Sequence, residues 1–247
     1  MGSERQALVD EIRRCGRAVM LSNHTMETFA AKATPKQAGF LLDLFHTEMD
    51  YREENKRRRL YKKAAFPMSK SFEEYDWSKV KLPENLSKED LLDCSFIAGH
   101  RNLVLYGPVG TGKTHMSVAV GSAACDMGYH VRFTTTSELV LKLLRAKEDG
   151  VLDKILHDYL SADLIILDEW GYVPVDRESA RLLFQVVSQC YETKSLLLTT
   201  NLEFSKWGSV LTDDQMAAAM IDRLAHHGHL IIFEGESYRM KHALMRE

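Results

Sequence analysis

An α/β fold, with a largely parallel sheet covered by helices on both faces, is predicted by three observations. The apolar run Asn102–Tyr106 reads as a buried strand and leads into Gly107-Pro108-Val109-Gly110-Thr111-Gly112-Lys113-Thr114, a complete G-x-x-x-x-G-K-[ST] pattern followed by helix-forming residues 116–127. A second apolar run, residues 164–167, ends on the acidic pair Asp168-Glu169. Elsewhere strand-like and helix-like stretches alternate, the pattern of parallel strands joined by covering helices.

Each motif has a chemical reading. Glycines at 107, 110 and 112 allow the backbone to turn tightly and aim N–H groups at phosphate oxygens, so residues 107–115, from Gly107 through His115, are candidate nucleotide contacts. Lys113 can reach the β- and γ-phosphates, and the hydroxyl of Thr114 can ligate Mg2+. Asp168, delivered to a strand end, can hold the metal shell, while Glu169 beside it can orient and activate water. Nucleotide binding alone needs no such glutamate, so the pair points to hydrolysis.

Composition limits the alternatives. Of 247 residues, 45% are apolar and 27% charged, an ordinary soluble composition, and the length suits either one α/β domain or a core with a smaller appendage. A formal charge of -3 excludes capture of DNA by net charge, so any nucleic-acid contact needs a local basic surface or an assembled one. No apolar segment approaches the roughly 20 residues that span a bilayer, and residues 1–10 lack a secretory apolar region, so a cytoplasmic location is expected. Cys15, Cys94, Cys125 and Cys190 are too far apart for a close-spaced zinc pattern and are expected as reduced thiols.

In chain order, residues 1–70 are expected to form a small N-terminal helical region for assembly and DNA contact, and residues 71–247 the nucleotide-binding domain. Residues 35–63 have helical composition, with Phe40, Leu41, Leu44, Phe45, Met49, Leu60 and Tyr61 as the expected apolar face. This helix ends in a basic run, six like charges within residues 56–63, which repel unless an anion or nearby acids screen them. DNA phosphate is one such partner; Glu48, Asp50, Glu53 and Glu54, or another subunit, are the others. Arg57, Arg58, Arg59, Lys62 and Lys63 are therefore candidate DNA contacts, with Lys142 and Arg145 as weaker ones on a later helix. Pro67 is expected to close the helix, and the mixed aromatic and acidic segment that runs from residues 72–77 through Pro83 to Leu91-Leu92-Asp93 is expected to form a strap on the following domain.

Beyond the phosphate loop, strands are expected at 131–134, 164–167, 195–201 and 230–233, giving five with the first, and helices at 137–144, 151–160, 179–191 and 216–225. If the strand ending at Asn201 lies between the two motif strands, Asn201 can hold the attacking water or sense the γ-phosphate. His226, His227 and His229 lack a cysteine or carboxylate at recognised spacing and are read as helix-end and surface groups. Only 14 residues follow Phe233, so no C-terminal lid domain is expected.

Taken together, residues 107–115, 164–171, 199–201, 222–227 and 235–239 resemble the IstB/DnaC family of AAA+ ATPases, nearest to the IstB-type transposition helpers of bacterial insertion sequences. The likeness covers most of the chain after about residue 35, and Asp222-Arg223-Leu224-Ala225-His226-His227 with Gly235-Glu236-Ser237-Tyr238-Arg239 is its narrowest part. It implies an AAA+ type P-loop NTPase that uses ATP and Mg2+, with Asn201 as a sensor. Arg223 falls where the family carries an arginine that reaches a neighbour's nucleotide, and Arg239 where a second nucleotide-sensing arginine lies. The resemblance also implies a homo-oligomer assembled with ATP on double-stranded DNA that recruits or stimulates a cognate transposase. DnaC-type helicase loading is the alternative. One departure is Cys190-Tyr191-Glu192, where the family usually has arginine before Tyr-Glu.

Overall fold

The computed structural model describes residues 2–73 and 75–241. It divides into two compact units, Met1–Arg59 and Leu60–Glu247. The first holds α1 (Gly2–Ala18), α2 (Asn23–Ala30) and most of α3 (Pro35–Ala64). Ser22 caps α2 by accepting a hydrogen bond from the Thr25 amide, a contact that stabilises a helix by about 1 kcal/mol. Its core joins Ile12, Cys15, Met26 and Ala30 to Ala38 and Phe45, with Leu41, Leu42 and Met49 at its margin.

The expected apolar face of α3 needs correction. Phe40 and Leu44 are 70% and 51% exposed, because the stripe 38, 41, 42, 45 and 49 fits helical spacing and has α1 and α2 to pack on. Leu60 and Tyr61 belong to the other unit's core. The helix ends at Ala64, before Pro67, and Ala65 leaves it in the left-handed region at φ 59°.

The second unit runs β1 (Val80–Lys81), α4 (Lys88–Leu92), α5 (Ser95–Ala98), β2 (Asn102–Tyr106), α6 (Lys113–Asp126), β3 (Val131–Thr135), α7 (Thr136–Glu148), α8 (Leu152–Leu160), β4 (Leu164–Trp170), α9 (Arg177–Cys190), β5 (Ser195–Thr200), α10 (Trp207–Leu211), α11 (Asp214–His226), β6 (Gly228–Phe233) and α12 (Tyr238–Lys241). The sheet order is β1-β6-β2-β5-β4-β3. Strands β2 to β6 are parallel, but β1 is antiparallel to β6, pairing Val80 with Phe233 and Lys81 with Ile232. The sheet is therefore mixed and six-stranded, not five-stranded and purely parallel. Two paired residues with a single apolar side chain between them carry no periodic signal, which is why β1 reads as part of the strap.

Period-two alternation sorts the strand residues between two layers. Leu103, Leu105, Ile166, Leu197 and Ile231 pack with Met116, Val120 and Ala124 of α6. Ile165, Leu167, Leu196 and Leu198 pack with residues of α7, α9 and α11, including Leu139, Leu183, Val186 and Met220. Burying each such side chain contributes about 1.5–3 kcal/mol. Burial on both sides explains why these strands read as continuous apolar runs.

At the sheet's amino-terminal edge, the buried Asn102 side chain accepts from the Leu196 amide at 3.0 Å and donates to the Leu224 carbonyl at 3.4 Å. One polar side chain thereby fastens the starts of β2 and β5 to α11. All four cysteines are free and buried. Among the described residues, no helix is long and apolar enough to cross a membrane.

Candidate nucleotide-binding site

Because β5 lies between β2 and β4, the segments carrying Gly107, Asn201 and Asp168 converge at the carboxyl edge of the sheet. Gly107 is required by close approach: a Cβ there would lie 2.4 Å from the carbonyl oxygen of Phe233, at the end of β6. Gly112 caps α6 with φ 98°, a conformation that disfavours any side chain. The loop thus turns directly into the amino end of a 14-residue helix, whose free N–H groups favour an anion.

Lys113 is 5% exposed, and its Nζ donates to the carbonyls of Gly107 and Pro108, both at 2.7 Å. An ammonium has three donors, so one is left for a phosphate oxygen. Burial pushes its pKa down to about 8; the Asp168 carboxylate opposes that shift and the Arg239 guanidinium adds to it.

Strand β4 is not regular at the acidic pair. Its register with β5 runs Leu167 to Leu198 and then Trp170 to Thr200, so one extra residue is accommodated, and Glu169 takes φ 59°. Such a bulge re-aims side chains that a regular strand would alternate. Asp168 is 4% exposed and Trp170 buried, while Glu169 between them is exposed.

Asp168 is held by two hydroxyls. Thr114 Oγ1 donates to its carboxylate oxygens at 3.0 and 3.2 Å, and Thr199 Oγ1 donates to Oδ1. The same Thr199 oxygen accepts the Glu169 amide at 3.0 Å. Thr136 donates to the Asp168 carbonyl at 3.1 Å. The Thr114 hydroxyl and the Asp168 carboxylate form the hard oxygen donor set that suits Mg2+. Neither hydroxyl carries a sequence signal of this role: Thr199 belongs to the 199–201 segment at the end of an apolar run, and Thr136 to the start of a helix.

Two further groups join the site. Asn201 follows β5, and its Oδ1 is buried without a hydrogen-bond partner in the structure. Beyond β6, the Tyr238 amide donates to the Gly110 carbonyl at 2.9 Å. That contact seats α12 on the phosphate loop, where the charge of Arg239 acts on Lys113 and Tyr172. The strap also reaches the loop: His115 Nε2 meets the Ser71 carbonyl at 3.0 Å, and its ring lies 5.0 Å from that of Tyr75. Pro108 and Val109 form the loop's outer turn, with Val109 exposed, and Thr111 donates to the Pro108 carbonyl at 2.8 Å.

Arg223 is placed elsewhere. It lies on α11, whose end meets the start of β2: the Asn102 amide donates to the His227 carbonyl at 2.7 Å. The phosphate loop leaves the opposite end of β2, roughly 16 Å away for a strand of this length. Arg223 donates to the Ala219 carbonyl at 2.8 Å and covers the Phe184 ring at 5.0 Å. Arg57, Arg58, Arg59, Lys62 and Lys63 are exposed on α3, with Arg58 paired to Glu54 at 2.5 Å. Lys142 and Arg145 are exposed on α7, Lys142 lying over the Tyr159 ring at 5.0 Å.

Fold and site together define a P-loop, AAA+-like α/β protein. Solved structures share the fold: a DnaC helicase loader aligns with TM-score 0.54 and 20% identity over 71% of this chain and 99% of that one. DnaA bound to AMPPCP and single-stranded DNA aligns with TM-score 0.51 and 21% identity, over 62% and 47%. The family model described as IstB-like ATP binding protein matches residues 17–245, and the chain belongs to that family. Its relatives include the IS5376 putative ATP-binding protein of Geobacillus stearothermophilus, 33% identical over 90% of this chain and 88% of that one. The IS232 putative ATP-binding protein of Bacillus thuringiensis subsp. berliner is 36% identical over 84% and 83%.

Two outcomes follow from this geometry. A phosphate ligand favours the charged form of Lys113, so affinity for a fluorescent ATP analogue should decline as pH rises through about 8, by at most about tenfold per pH unit. Lys113→Ala should bind more weakly and lose that pH step; a wild-type profile with no decline would remove Lys113 as a phosphate ligand. Thr199→Val keeps the shape but leaves the Glu169 amide and one Asp168 oxygen short of a partner. It should lower stability to urea by about 1–3 kcal/mol, and an unchanged midpoint and slope would show that the hydroxyl contributes nothing.

Proposed function

We propose that this protein is an ATP-dependent, DNA-binding transposition helper. It assembles with ATP on double-stranded target DNA as a homo-oligomer, remodels that DNA, and recruits or stimulates a partner transposase, with hydrolysis controlling the assembly. Family membership supports ATP binding, and the description of several relatives as ATP-binding proteins of insertion sequences supports the setting. Helicase loading uses a related core, but the relatives at 33% and 36% identity are described by insertion sequences.

The observation that carries hydrolysis is the bulge that leaves Glu169 exposed beside an immobilised Asp168. The amides of residues 109–113 and the Lys113 ammonium bind the phosphates. Thr114 and Asp168 would hold Mg2+, which would offset negative charge on the phosphate oxygens. Glu169 accepts a proton from water as its oxygen attacks the γ-phosphorus; the bond to the β–γ bridging oxygen breaks, leaving ADP and phosphate. Asn201, with its buried Oδ1 unpaired, orients that water, and Arg239 faces the phosphates from the same subunit. Basic side chains on α3, from Arg57 to Lys63, and Lys142 and Arg145 on α7, contact the DNA backbone.

Glu169→Gln should bind ATP as the wild type does but turn it over on the order of 10²–10⁴-fold more slowly. Turnover equal to wild type would remove Glu169 as the base.

Arg223 acts in trans, because within one subunit it belongs to the edge opposite the phosphate loop. A guanidinium supplied by a neighbour offsets charge on the transferring phosphoryl group, a role worth about 10³-fold or more. Arg223→Ala and Lys113→Ala assemblies should each be inactive, yet in an equal mixture about a quarter of head-to-tail interfaces pair an intact pocket with an intact arginine. DNA-stimulated hydrolysis should therefore return on mixing. No recovery in mixed assemblies verified by native mass spectrometry would place Arg223 in its own subunit's site.

A further inference from the structure

His226, the last residue of α11, and His227, its C-cap, have no carboxylate at a recognised ligand spacing in sequence, yet the fold brings one to them. Glu192 follows α9 in the turn that leads to β5, and one ligand atom from each of Glu192, His226 and His227 falls within 4.8 Å of the others. His227 Nε2 is 3.0 Å from Glu192 Oε1, and the two imidazole rings are 4.2 Å apart between centroids. We propose that Glu192, His226 and His227 bind a divalent first-row transition ion, Zn2+ in particular, at a site separate from the phosphate loop.

Three features of the cluster carry this assignment. Zinc bonds to imidazole nitrogen and carboxylate oxygen are about 2.0–2.2 Å long, which sets neighbouring donors at a tetrahedral ion roughly 3.3 Å apart; the His227–Glu192 spacing is close to that. The Tyr191 hydroxyl lies 2.8 Å from His226 Nδ1, the kind of outer contact that fixes the orientation and tautomer of a ligating histidine. Glu192 itself has φ 58°, a conformation that residues other than glycine seldom adopt. The turn is held by Thr193 and Lys194 amides donating to the Cys190 carbonyl at 3.0 and 2.9 Å.

An exposed histidine–glutamate pair alone is a weak interaction, and it does not account for the second imidazole and its tyrosine converging on the same point. Glu192 and His226 are exposed and His227 half-buried, so a hydrated ion has access and solvent can complete the coordination. Two imidazoles with one carboxylate suit Zn2+, Co2+ or Ni2+, whereas Mg2+ prefers oxygen ligands and retains its water. His229, the third histidine of the segment, takes no part: it is buried, with Nδ1 3.1 Å from Asn85 Oδ1. The ion would tie the turn after α9 to the end of α11. This assignment is independent of the ATPase reading.

The test uses the full chain, free of any affinity tag, stripped with a chelator and dialysed. Calorimetric titration with Zn2+, in excess Mg2+ and without nucleotide, should give one saturable ion per chain. His226→Ala, His227→Ala and Glu192→Gln should each weaken binding at least tenfold while circular dichroism stays unchanged, and Asp168→Asn should bind as the wild type does. Co2+ should give a visible spectrum without thiolate charge-transfer bands, and His227→Ala should abolish it. The proposal is overturned by absence of saturable Zn2+ binding, by equal affinity in the three variants, by thiolate bands that place the ion on cysteine, or by loss of binding in Asp168→Asn.

Discussion

The double contact made by the Thr199 hydroxyl, donating to the Asp168 carboxylate while accepting the Glu169 amide, is the interaction on which the site depends. It fastens β5 to the bulge in β4, and Thr114 fastens the start of α6 to the same carboxylate. Three segments distant in sequence are thereby referred to one side chain. The bulge separates the fates of two adjacent acids: Asp168 is buried and hydrogen-bonded, and Glu169 is exposed with its backbone in a left-handed conformation. Strain of this kind costs on the order of 1–3 kcal/mol and persists only where surrounding contacts over-determine it; the Thr199–Glu169 bond is one of those contacts.

Much of this core was legible in the sequence because its strands are buried on both sides and its motifs are contiguous. The run from Asn102 to Thr114 specifies a strand, a turn and a helix start within 13 residues, and each part is local chemistry. What was not legible depends on pairing between distant segments. The bulge at Glu169 arises from register between β4 and β5, and no spacing within residues 164–170 encodes it. The short β1 exists only because β6 offers its edge. On α3, Phe40 and Leu44 satisfy helical spacing as well as Phe45 does, and only the placement of α1 and α2 decides which side is buried. Glu192 escaped notice as a companion of His226 and His227 for the same reason: the turn after α9 and the end of α11 meet only in the folded chain.

The polarity of a parallel sheet imposes a division of labour. All its strands β2 to β6 point one way, so phosphate loop, acidic pair and Asn201 collect at the carboxyl edge without special arrangement. By the same rule the junction of α11 and β6 is delivered to the amino edge, where Asn102 binds the Leu224 and His227 carbonyls. Arg223, one turn before that junction, donates to the Ala219 carbonyl and covers the Phe184 ring. Arg239, beyond the carboxyl end of β6, is brought to the loop by the same geometry. Arg223 on α11 therefore precedes β6, and Arg239 on α12 follows it.

The charge balance inside the pocket gives the loop its selectivity. Lys113 is buried with two carbonyls as hydrogen-bond partners and, among the described residues, no salt bridge, and desolvation lowers its pKa to about 8. The Asp168 carboxylate, whose charge opposes that shift, accepts hydrogen bonds from the Thr114 and Thr199 hydroxyls. Arg239 adds positive potential from α12. A polyanion placed between Lys113, Arg239 and the start of α6 would relieve repulsion among the cations and satisfy the remaining ammonium donor at once, and a neutral ligand would do neither.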